Sequence, residues 1–426
     1  MDLINLIAAL ATIILFFFGF FKFGVSVGKG EPLILDIIKK LEKVLNIKLL
    51  KTVTPDKEKK PSEKEFYFGI DVGSDHIDYC ILDYQEFERI SKGHDSTKVI
   101  IDSSTTFRGS VENPASKKGF DAIYKEIEKI ITELLSEANQ RKNFPISGIG
   151  IGLPGMVEPK SGKLRQAPYL GKQGVEFVEK LDPHIDWRRF PKKPELADFI
   201  KIDNDVRCAT RFRWKATSQK NLLCILIGNG VGSGIVLDGK MIYGTNFCAG
   251  EAGHTTISHT PELFKGNFKR CNCRKEGHHW EMYVASYGVI NMMENFDPQQ
   301  FEAFKKEYVP TGEKLTTTLI QKAYEKGNPY ATQIVEDKFL EYVAIGVSNY
   351  INILNPEKIF LGGGMIRAFV SDKNEEKLKN KIRDKYTLDV NSDVAVSHTE
   401  NQYLASIGAA LIFKDETYFK YLQEKI

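Results

Sequence analysis

Short apolar runs that end in glycine or aspartate turns recur along this chain, and they constrain its fold more than any other feature. Leu222-Leu223-Cys224-Ile225-Leu226-Ile227 has the character of a buried strand and runs straight into Gly228-Asn229-Gly230-Val231-Gly232-Ser233-Gly234. Phe66 to Ile70 ends in Asp71-Val72-Gly73-Ser74, Ile146 to Ile151 in Gly152-Leu153-Pro154-Gly155, and Phe199 to Ile202 in Asp203-Asn204-Asp205. Ile77 to Leu82 and Val99 to Ile101 read as strands that continue the sheet opened by Phe66, and Lys358 to Leu361 as a later strand with its own glycine turn. Helical patterns lie between them. Asp121 to Glu137 sets Ile123, Ile127, Ile130, Ile131, Leu134 and Leu135 on one face, and Phe339 to Leu354 and Tyr403 to Phe413 follow. Strands that alternate with helices predict an α/β fold, and in open sheets of that class ligands bind outside the carboxyl ends of the strands.

Those carboxyl ends carry the chemistry. A glycine-rich turn after a strand exposes backbone N–H groups that cradle phosphate, and Asp71 at a strand end suits a metal-bound nucleotide. Further on, Gly250-Glu251-Ala252-Gly253-His254 is followed by Cys271-Asn272-Cys273 and Gly277-His278-His279-Trp280-Glu281. Structural zinc takes sulfur and nitrogen ligands in a tetrahedron, and His254, Cys271, Cys273 and one of His278 or His279 make such a set. The same residues also read as two reduced thiols among surface histidines. On the residues alone, Asn204-Asp205 is also an ordinary turn after a strand.

The N-terminal part has a different character. Leu3 to Phe21 carries no charge and holds five phenylalanines between Phe16 and Phe21. At ~1.5 Å per residue it comes close to the ~30 Å hydrocarbon core. A basic region of the signal-peptide kind is missing, since Asp2 stands there. A membrane anchor over residues 1–30 is therefore expected. Lys22, Lys29, Lys39 and Lys40 follow the run, so the positive-inside tendency leaves the rest cytoplasmic, a single-pass localisation. Residues 31–65 read as an amphipathic, lysine-bearing segment and then a charged, proline-containing linker. The net charge of +3 is too small to suggest a nucleic-acid surface. The six cysteines, three of them in or beside apolar runs, fit a reducing compartment better than a disulfide scaffold.

Taken in order, the motifs resemble the ROK family of sugar kinases and related regulators over about residues 66 to 413. The matching residues are Asp71-Val72-Gly73, Gly150-Ile151-Gly152-Leu153-Pro154-Gly155, Asp203-Asn204-Asp205 and Gly228-Asn229-Gly230-Val231-Gly232. They continue with Ala249 to His254, Cys271-Asn272-Cys273, Trp280-Glu281, Asn355-Pro356, Gly362-Gly363-Gly364 and Ile407-Gly408-Ala409-Ala410. The resemblance implies a two-lobed actin-like ATPase (ribonuclease H-like) fold, here preceded by a transmembrane helix. The small lobe would take 66–200 and 402–418, and the large lobe 201–401 with the zinc loop. It implies ATP-dependent phosphorylation of a hexose or N-acetylhexosamine, with ATP, Mg²⁺ and Zn²⁺, and it allows a homodimer. By the same resemblance Asp205 is the catalytic base. Asn204, Glu251, His254 and Glu281 hold the sugar. Asp71, Gly73, Gly228, Gly230 and Gly232 line the phosphates, and Gly362 and Gly363 flank the adenosine. The metal ligands are His254, Cys271, Cys273 and His279, because Trp280-Glu281 aligns best when His279 takes the place of the family's third cysteine.

Several positions depart from the family pattern. The phosphate turn, usually Asp-x-Gly-Gly-Thr-Lys, here reads Asp71-Val72-Gly73-Ser74-Asp75-His76, which puts a carboxylate where a hydroxyl would face phosphate. Asn229 replaces a threonine, Tyr169 a sugar-contacting asparagine and Arg274 a turn glycine. Beside the kinase stands a second reading, a sugar-binding or regulatory protein of weak catalysis, which Asp75 favours. A third, a DNA-binding repressor, needs an N-terminal helix-turn-helix, and the first 65 residues offer a hydrophobic span and a charged linker instead.

Overall fold

In the computed structural model, strand β1 (Phe66–Val72) forms an antiparallel pair with β2 (His76–Asp83), its neighbour in sequence. The structure describes residues 64–92, 96–140, 145–167, 170–190, 195–217, 219–258, 271, 273, 278–388, 392–397 and 402–423. Helix α1 (Thr97–Ser104) leads into β3 (Thr105–Glu112), which pairs with β2. Helix α2 (Ala122–Gln140) then returns the chain to β4 (Ile146–Leu153), parallel to β1, and β5 (Ile200–Asn204) lies parallel to β4. The sheet order is β3-β2-β1-β4-β5.

After helix α3 (Asp205–Ala216) the same pattern is drawn a second time. Strands β6 (Leu222–Ile227), β7 (Val231–Leu237) and β8 (Lys240–Met241) form an antiparallel meander. Helix α4 (Leu340–Leu354) ends at Asn355, which turns left-handed at φ 43°. Strands β9 (Lys358–Gly362) and β10 (Asp393–Val396) then add in parallel, giving the order β8-β7-β6-β9-β10. The chain closes with α5 (Leu404–Ala410) and α6 (Glu416–Gln423).

Side-chain alternation explains the layering. Phe66, Phe68, Ile70 and Val72 bury on one face of β1 against α2, while Tyr67 joins a different core on the other face. Leu223, Ile225 and Ile227 of β6 point to a third core that α4 covers, and Leu222 and Cys224 point back toward Tyr67. The middle core therefore lies between the two sheets and is filled by Cys208, Ala209 and Phe212 of α3 and by Leu404, Ile407 and Ala410 of α5. Helix α5 is rich in small residues because it lies on the first sheet with backbone against backbone. A Cβ at Gly69 would stand 1.9 Å from the Ser406 carbonyl oxygen, and one at Gly150 would stand 1.9 Å from that of Ala409. Residues Lys64–Ile426 cluster as one unit.

Two expectations are corrected here. Val99 to Ile101 belongs to α1 and is not a strand: the Ser96 hydroxyl accepts from the Val99 N–H at 3.5 Å and caps a helix there. The single-pass membrane localisation and the transmembrane helix are not carried forward. No helix among the described residues is long and apolar enough to cross a membrane. Even the 19-residue α2 sets charged residues such as Glu126 and Lys129 opposite its buried face. The run Leu3 to Phe21 and the linker that follows it lie outside the described residues.

Candidate functional site

Asp71, Gly152 and Asp203 stand side by side in one row across β1, β4 and β5, at the carboxyl ends of those strands. Asp71 is on the face of β1 turned toward α3, and its Oδ1 is buried with no hydrogen-bond partner. Asp205 opens α3. Its Oδ1 accepts from the Val206 N–H at 2.8 Å and from Asn204 Nδ2 at 2.8 Å. Gly152 leaves the space between them: a Cβ there would lie 3.0 Å from Asp71 Oδ1 and 3.5 Å from Asp205 Cα. Burial raises the Asp205 carboxyl to about 6; nearby Arg207 opposes that rise and Glu251 adds to it. Burial also holds Asp71 well above the usual carboxylate range, with Asp205 and Asp78 adding to the effect. Two carboxyls this close resist ionising together.

Asn204 is engaged within the protein. Its Oδ1 caps α3 by accepting from the Arg207 N–H at 3.0 Å, and its Nδ2 also donates to the Gly155 carbonyl at 3.1 Å. An amide oxygen has two lone pairs, so Oδ1 keeps acceptor capacity beyond this bond.

Three glycine turns sit at carboxyl ends of strands. The β1–β2 turn is pinned from outside: Asn113 donates to the Gly73 carbonyl at 2.7 Å, and its own N–H donates to the Asp75 carbonyl at 2.8 Å. The β6–β7 turn closes when the Gly228 N–H donates to the Gly230 carbonyl at 2.8 Å. Asn229 Nδ2 then donates to Ser74 Oγ at 3.1 Å and ties the two turns together. Gly232 packs against Val206 of α3. Gly362 ends β9, and Gly363 follows at φ 98°. Asp75 is exposed on its turn.

The second cluster grows from Gly250. Its φ of 93° and the 2.2 Å that would separate a Cβ from the Ser233 carbonyl oxygen leave room only for glycine. The chain then turns through Glu251 and the short helical turn Ala252–His254 into a hairpin, where Thr256 pairs with His279 and Ser258 with His278. Neighbours on a strand point to opposite faces. His279 is buried and its Nδ1 lies 3.4 Å from Cys273 Sγ, while His278 Nδ1 lies 2.8 Å from the Tyr283 hydroxyl. His254 Nδ1 is 3.5 Å from Cys271 Sγ. One ligand atom from each of His254, Cys271, Cys273 and His279 falls within 4.8 Å of the others. Bonds of ~2.0–2.3 Å to a tetrahedral zinc set ligand atoms ~3.3–3.8 Å apart, so this donor set fits the ion. Burial and His254 lower the His279 imidazole, which favours the neutral ligand form.

His254 faces two ways. Opposite its sulfur-facing Nδ1, its Nε2 lies 3.7 Å from Glu251 Oε2. Glu281 is buried behind them, and its Oε1 accepts from the Cys271 thiol at 2.9 Å and the Tyr287 hydroxyl at 3.0 Å. Trp280 anchors the loop's exit by donating to the Tyr342 carbonyl at 2.8 Å, with its ring over Gly346 of α4. Tyr169 and Arg274 lie outside the described residues.

A model of the ROK family matches residues 67–416. The chain belongs to the ROK family. Among its ROK relatives, the glucokinase of Halalkalibacterium halodurans is 32% identical over 266 residues, 60% of this chain and 73% of that one. The N-acetyl-D-glucosamine kinase of Shigella flexneri is 26% identical over 273 residues, 62% of this chain and 79% of that one. Among solved structures, the ROK glucokinase from Streptomyces griseus in complex with glucose and AMPPNP aligns with a TM-score of 0.58 at 17% identity, covering 81% of this chain and 98% of that one. A ROK transcriptional regulator, a homolog of the E. coli MLC protein, aligns with a TM-score of 0.61 at 18% identity, covering 84% and 81%. These two likenesses show the fold, the actin-like α/β fold of ROK proteins.

Sequence reading missed the groups behind Asp205. Asp203 bonds Arg207 Nε at 2.6 Å and Arg211 Nη2 at 2.5 Å, and Arg211 Nε bonds Asp415 at 2.8 Å, all of them buried. Arg207 and Arg211, four residues apart on one face of α3 just after Asp203 at the end of β5, were the available signal. Asn113 and Tyr287 carried none.

Proposed function

We propose that this chain transfers the γ-phosphoryl group of ATP to a hydroxyl of a hexose or N-acetylhexosamine, with Asp205 as the base. The observation that carries the reading is the placement of Asp205: an enclosed carboxyl at the start of α3, raised to about 6, beside Asp71 and within the field of Glu251. A base with that value is ionised at neutral pH and still takes up a proton readily. As the sugar oxygen forms its bond to the γ-phosphorus, Asp205 accepts the hydroxyl proton; the bond from the γ-phosphorus to the β,γ-bridging oxygen breaks and ADP leaves. The tied turns around Gly73, Gly228, Gly230 and Gly232 offer N–H groups to the phosphates, and Gly362 and Gly363 flank the adenosine. Glu251, His254, Glu281 and the free lone pair of Asn204 orient the sugar. The small lobe takes residues 66–204 with 402–418: the expected boundary after 200 moves to the end of β5 at Asn204, since that strand pairs within the first sheet, and the large lobe runs from there to 401.

Asp71 suits Mg²⁺, since a buried carboxylate oxygen without a partner asks for a cation. Bound Mg²⁺ neutralises phosphate charge. Zinc on His254, Cys271, Cys273 and His279 is structural in this reading: it fixes the loop and orients the His254 ring toward the sugar. A second reading, a sugar-binding regulator of weak turnover, is supported by Asp75 on the phosphate turn.

A coupled assay of ATP consumption against a panel of hexoses and amino sugars tests the proposal. Turnover with one sugar, lost in Asp205→Asn, supports it. Undiminished activity in Asp205→Asn overturns the mechanism. Calorimetric sugar binding without turnover favours the regulator.

A further inference from the structure

Behind the base lies a buried ionic cluster that joins the catalytic turn to the last segment of the chain. Asp203 Oδ1 accepts from the backbone N–H of Asn204 at 2.8 Å and from Arg207 Nε at 2.6 Å. Its Oδ2 accepts from Arg211 Nη2 at 2.5 Å. Arg211 reaches on to Asp415 Oδ2 at 2.8 Å, to the Tyr243 hydroxyl at 2.9 Å and to the Gly408 carbonyl at 3.4 Å. Asp415 Oδ1 in turn caps α6 by accepting from the N–H groups of Thr417 and Tyr418 at 3.0 and 3.2 Å. Tyr418 completes the circuit: its hydroxyl donates to the carbonyl of Ile202, just before Asp203 on β5. Asp203, Arg211 and Asp415 are fully buried, and Arg207 is nearly so.

Two carboxylates and two guanidinium groups balance to no net charge. Buried ion clusters are weak stabilisers, because desolvation consumes most of their attraction and well-packed apolar residues often serve as well. What such a cluster supplies is fixed geometry, and this one is fixed on the residue next to Asn204-Asp205. We propose that Asp415 and Arg211 are positioning residues for the base, so that the segment from Asp415 to Tyr418 sets the placement and charge environment of Asp205 through Asp203. This rests on the reading of Asp205 as the base.

Charge reversal of the cluster provides the test. Asp415→Asn keeps the helix cap and leaves the cluster at +1. Arg211→Met keeps the length and leaves it at −1. Of the titratable and charged groups around Asp205, Asp71 on β1, Arg207 on α3 and Glu251 after β8 keep their identity in both variants, while Asp203 and Cys208 lose a contact with Arg211 in Arg211→Met. The acid limb of kcat/KM is expected to move down in Asp415→Asn and up in Arg211→Met, each by ~0.3–1 pH unit, and to return in the double variant. Each single variant is expected to lose ~10–100-fold in kcat with KM for ATP changed by less than about threefold, the mark of a misplaced base. A merely structural role gives shifts of one sign, or none, and no recovery in the double variant; that result overturns the proposal. If Arg211→Met does not fold, Arg211→Lys keeps the charge but cannot bridge both aspartates; it must lower kcat without moving the limb. The Asp205 carboxyl can also be titrated by carbon NMR in all variants, with Asp205→Asn assigning the signal. If the wild-type chain phosphorylates no sugar but those titrations shift with opposite signs, the kinase reading fails and the coupling stands.

Discussion

Replacing Asp205 by asparagine should make the protein more stable as it makes it inactive. The carboxyl is raised from 3.8 to about 6 in the folded chain, so the fold disfavours its ionised form. About two pH units at ~1.4 kcal/mol each give ~3 kcal/mol of destabilisation at pH 8. Below pH 3.8 the group is protonated in folded and unfolded chains alike, and the cost is absent. It grows as pH rises, because the unfolded chain ionises first; about half is present at pH 5, and nearly all of it above the folded value. The asparagine side chain of the variant cannot ionise, and its amide oxygen can still accept from the Val206 N–H. Some solvent contact at Asp205 trims the gain to ~1–3 kcal/mol, or about 1–3 °C in Tm for a chain of this size. Relief of Asp71, which the Asp205 charge also raises, acts in the same direction. Thermal unfolding of wild type and Asp205→Asn at pH 5 and pH 8, alongside kcat, is the assay. A rate loss of ~10²–10⁴-fold should accompany a gain in Tm that is larger at pH 8. A variant less stable than wild type at pH 8, or a gain unchanged between the two pH values, refutes the enclosed-carboxyl argument.

Elemental analysis should find one zinc per chain, retained by His278→Ala and lost by His279→Ala; the reverse pattern would mean that the wrong histidine faces the thiols. Zinc removal by a strong chelator should lower Tm and weaken sugar binding, since His254 serves both clusters; unaltered binding in metal-free protein would break that link. Asp75→Thr should lower KM for ATP ~2–5-fold by removing a like charge from the phosphate turn, and weaker ATP binding would instead assign Asp75 to Mg²⁺. Gly150→Ala should cost about 2 kcal/mol or more, because its Cβ meets the Ala409 carbonyl at 1.9 Å; a denaturant midpoint near wild type would show that α5 does not lie on the sheet as described.

The central strands were legible because buried strands write unbroken apolar runs, and β6 falls on the same residues that the sequence marks. The edge strand β3 was not legible: half-exposed residues such as Thr105 and Ser110 carry no such signal, and the apolar triplet Val99 to Ile101 just before it drew the assignment. The repeated sheet order escaped because pairing joins segments far apart in sequence, such as β6 and β9, whose residues share no repeating motif. At the site, motifs placed Asp205, Glu251 and the metal set, since glycine turns and cysteine–histidine spacing are local. The alignment of Trp280-Glu281 favoured His279 over His278 in the sequence, and the strand register of Thr256 with His279 sets the two histidines on opposite faces. Asp415 could not be tied to Arg211 in advance, because 204 residues separate them.

The backbone contact of α5 with Gly69 and Gly150 also orders events at the ribosome. The first sheet is made early, but the helix that covers its inner face follows only after every strand of the second sheet. Gln402, just before that helix, bonds Asp78 of β2 across 324 residues. Until α5 emerges, Gly69 and Gly150 lack the backbone that packs on them, and Tyr67 and Leu82 lack part of their cover. Contacts of such long range form late and slowly. Synthesis therefore passes through a long interval in which the strands of the first sheet exist and α3 is there to cover them without α5. Loss of α5 takes away the backbone that closes on Gly69 and Gly150, which is a far larger loss than seven residues suggest.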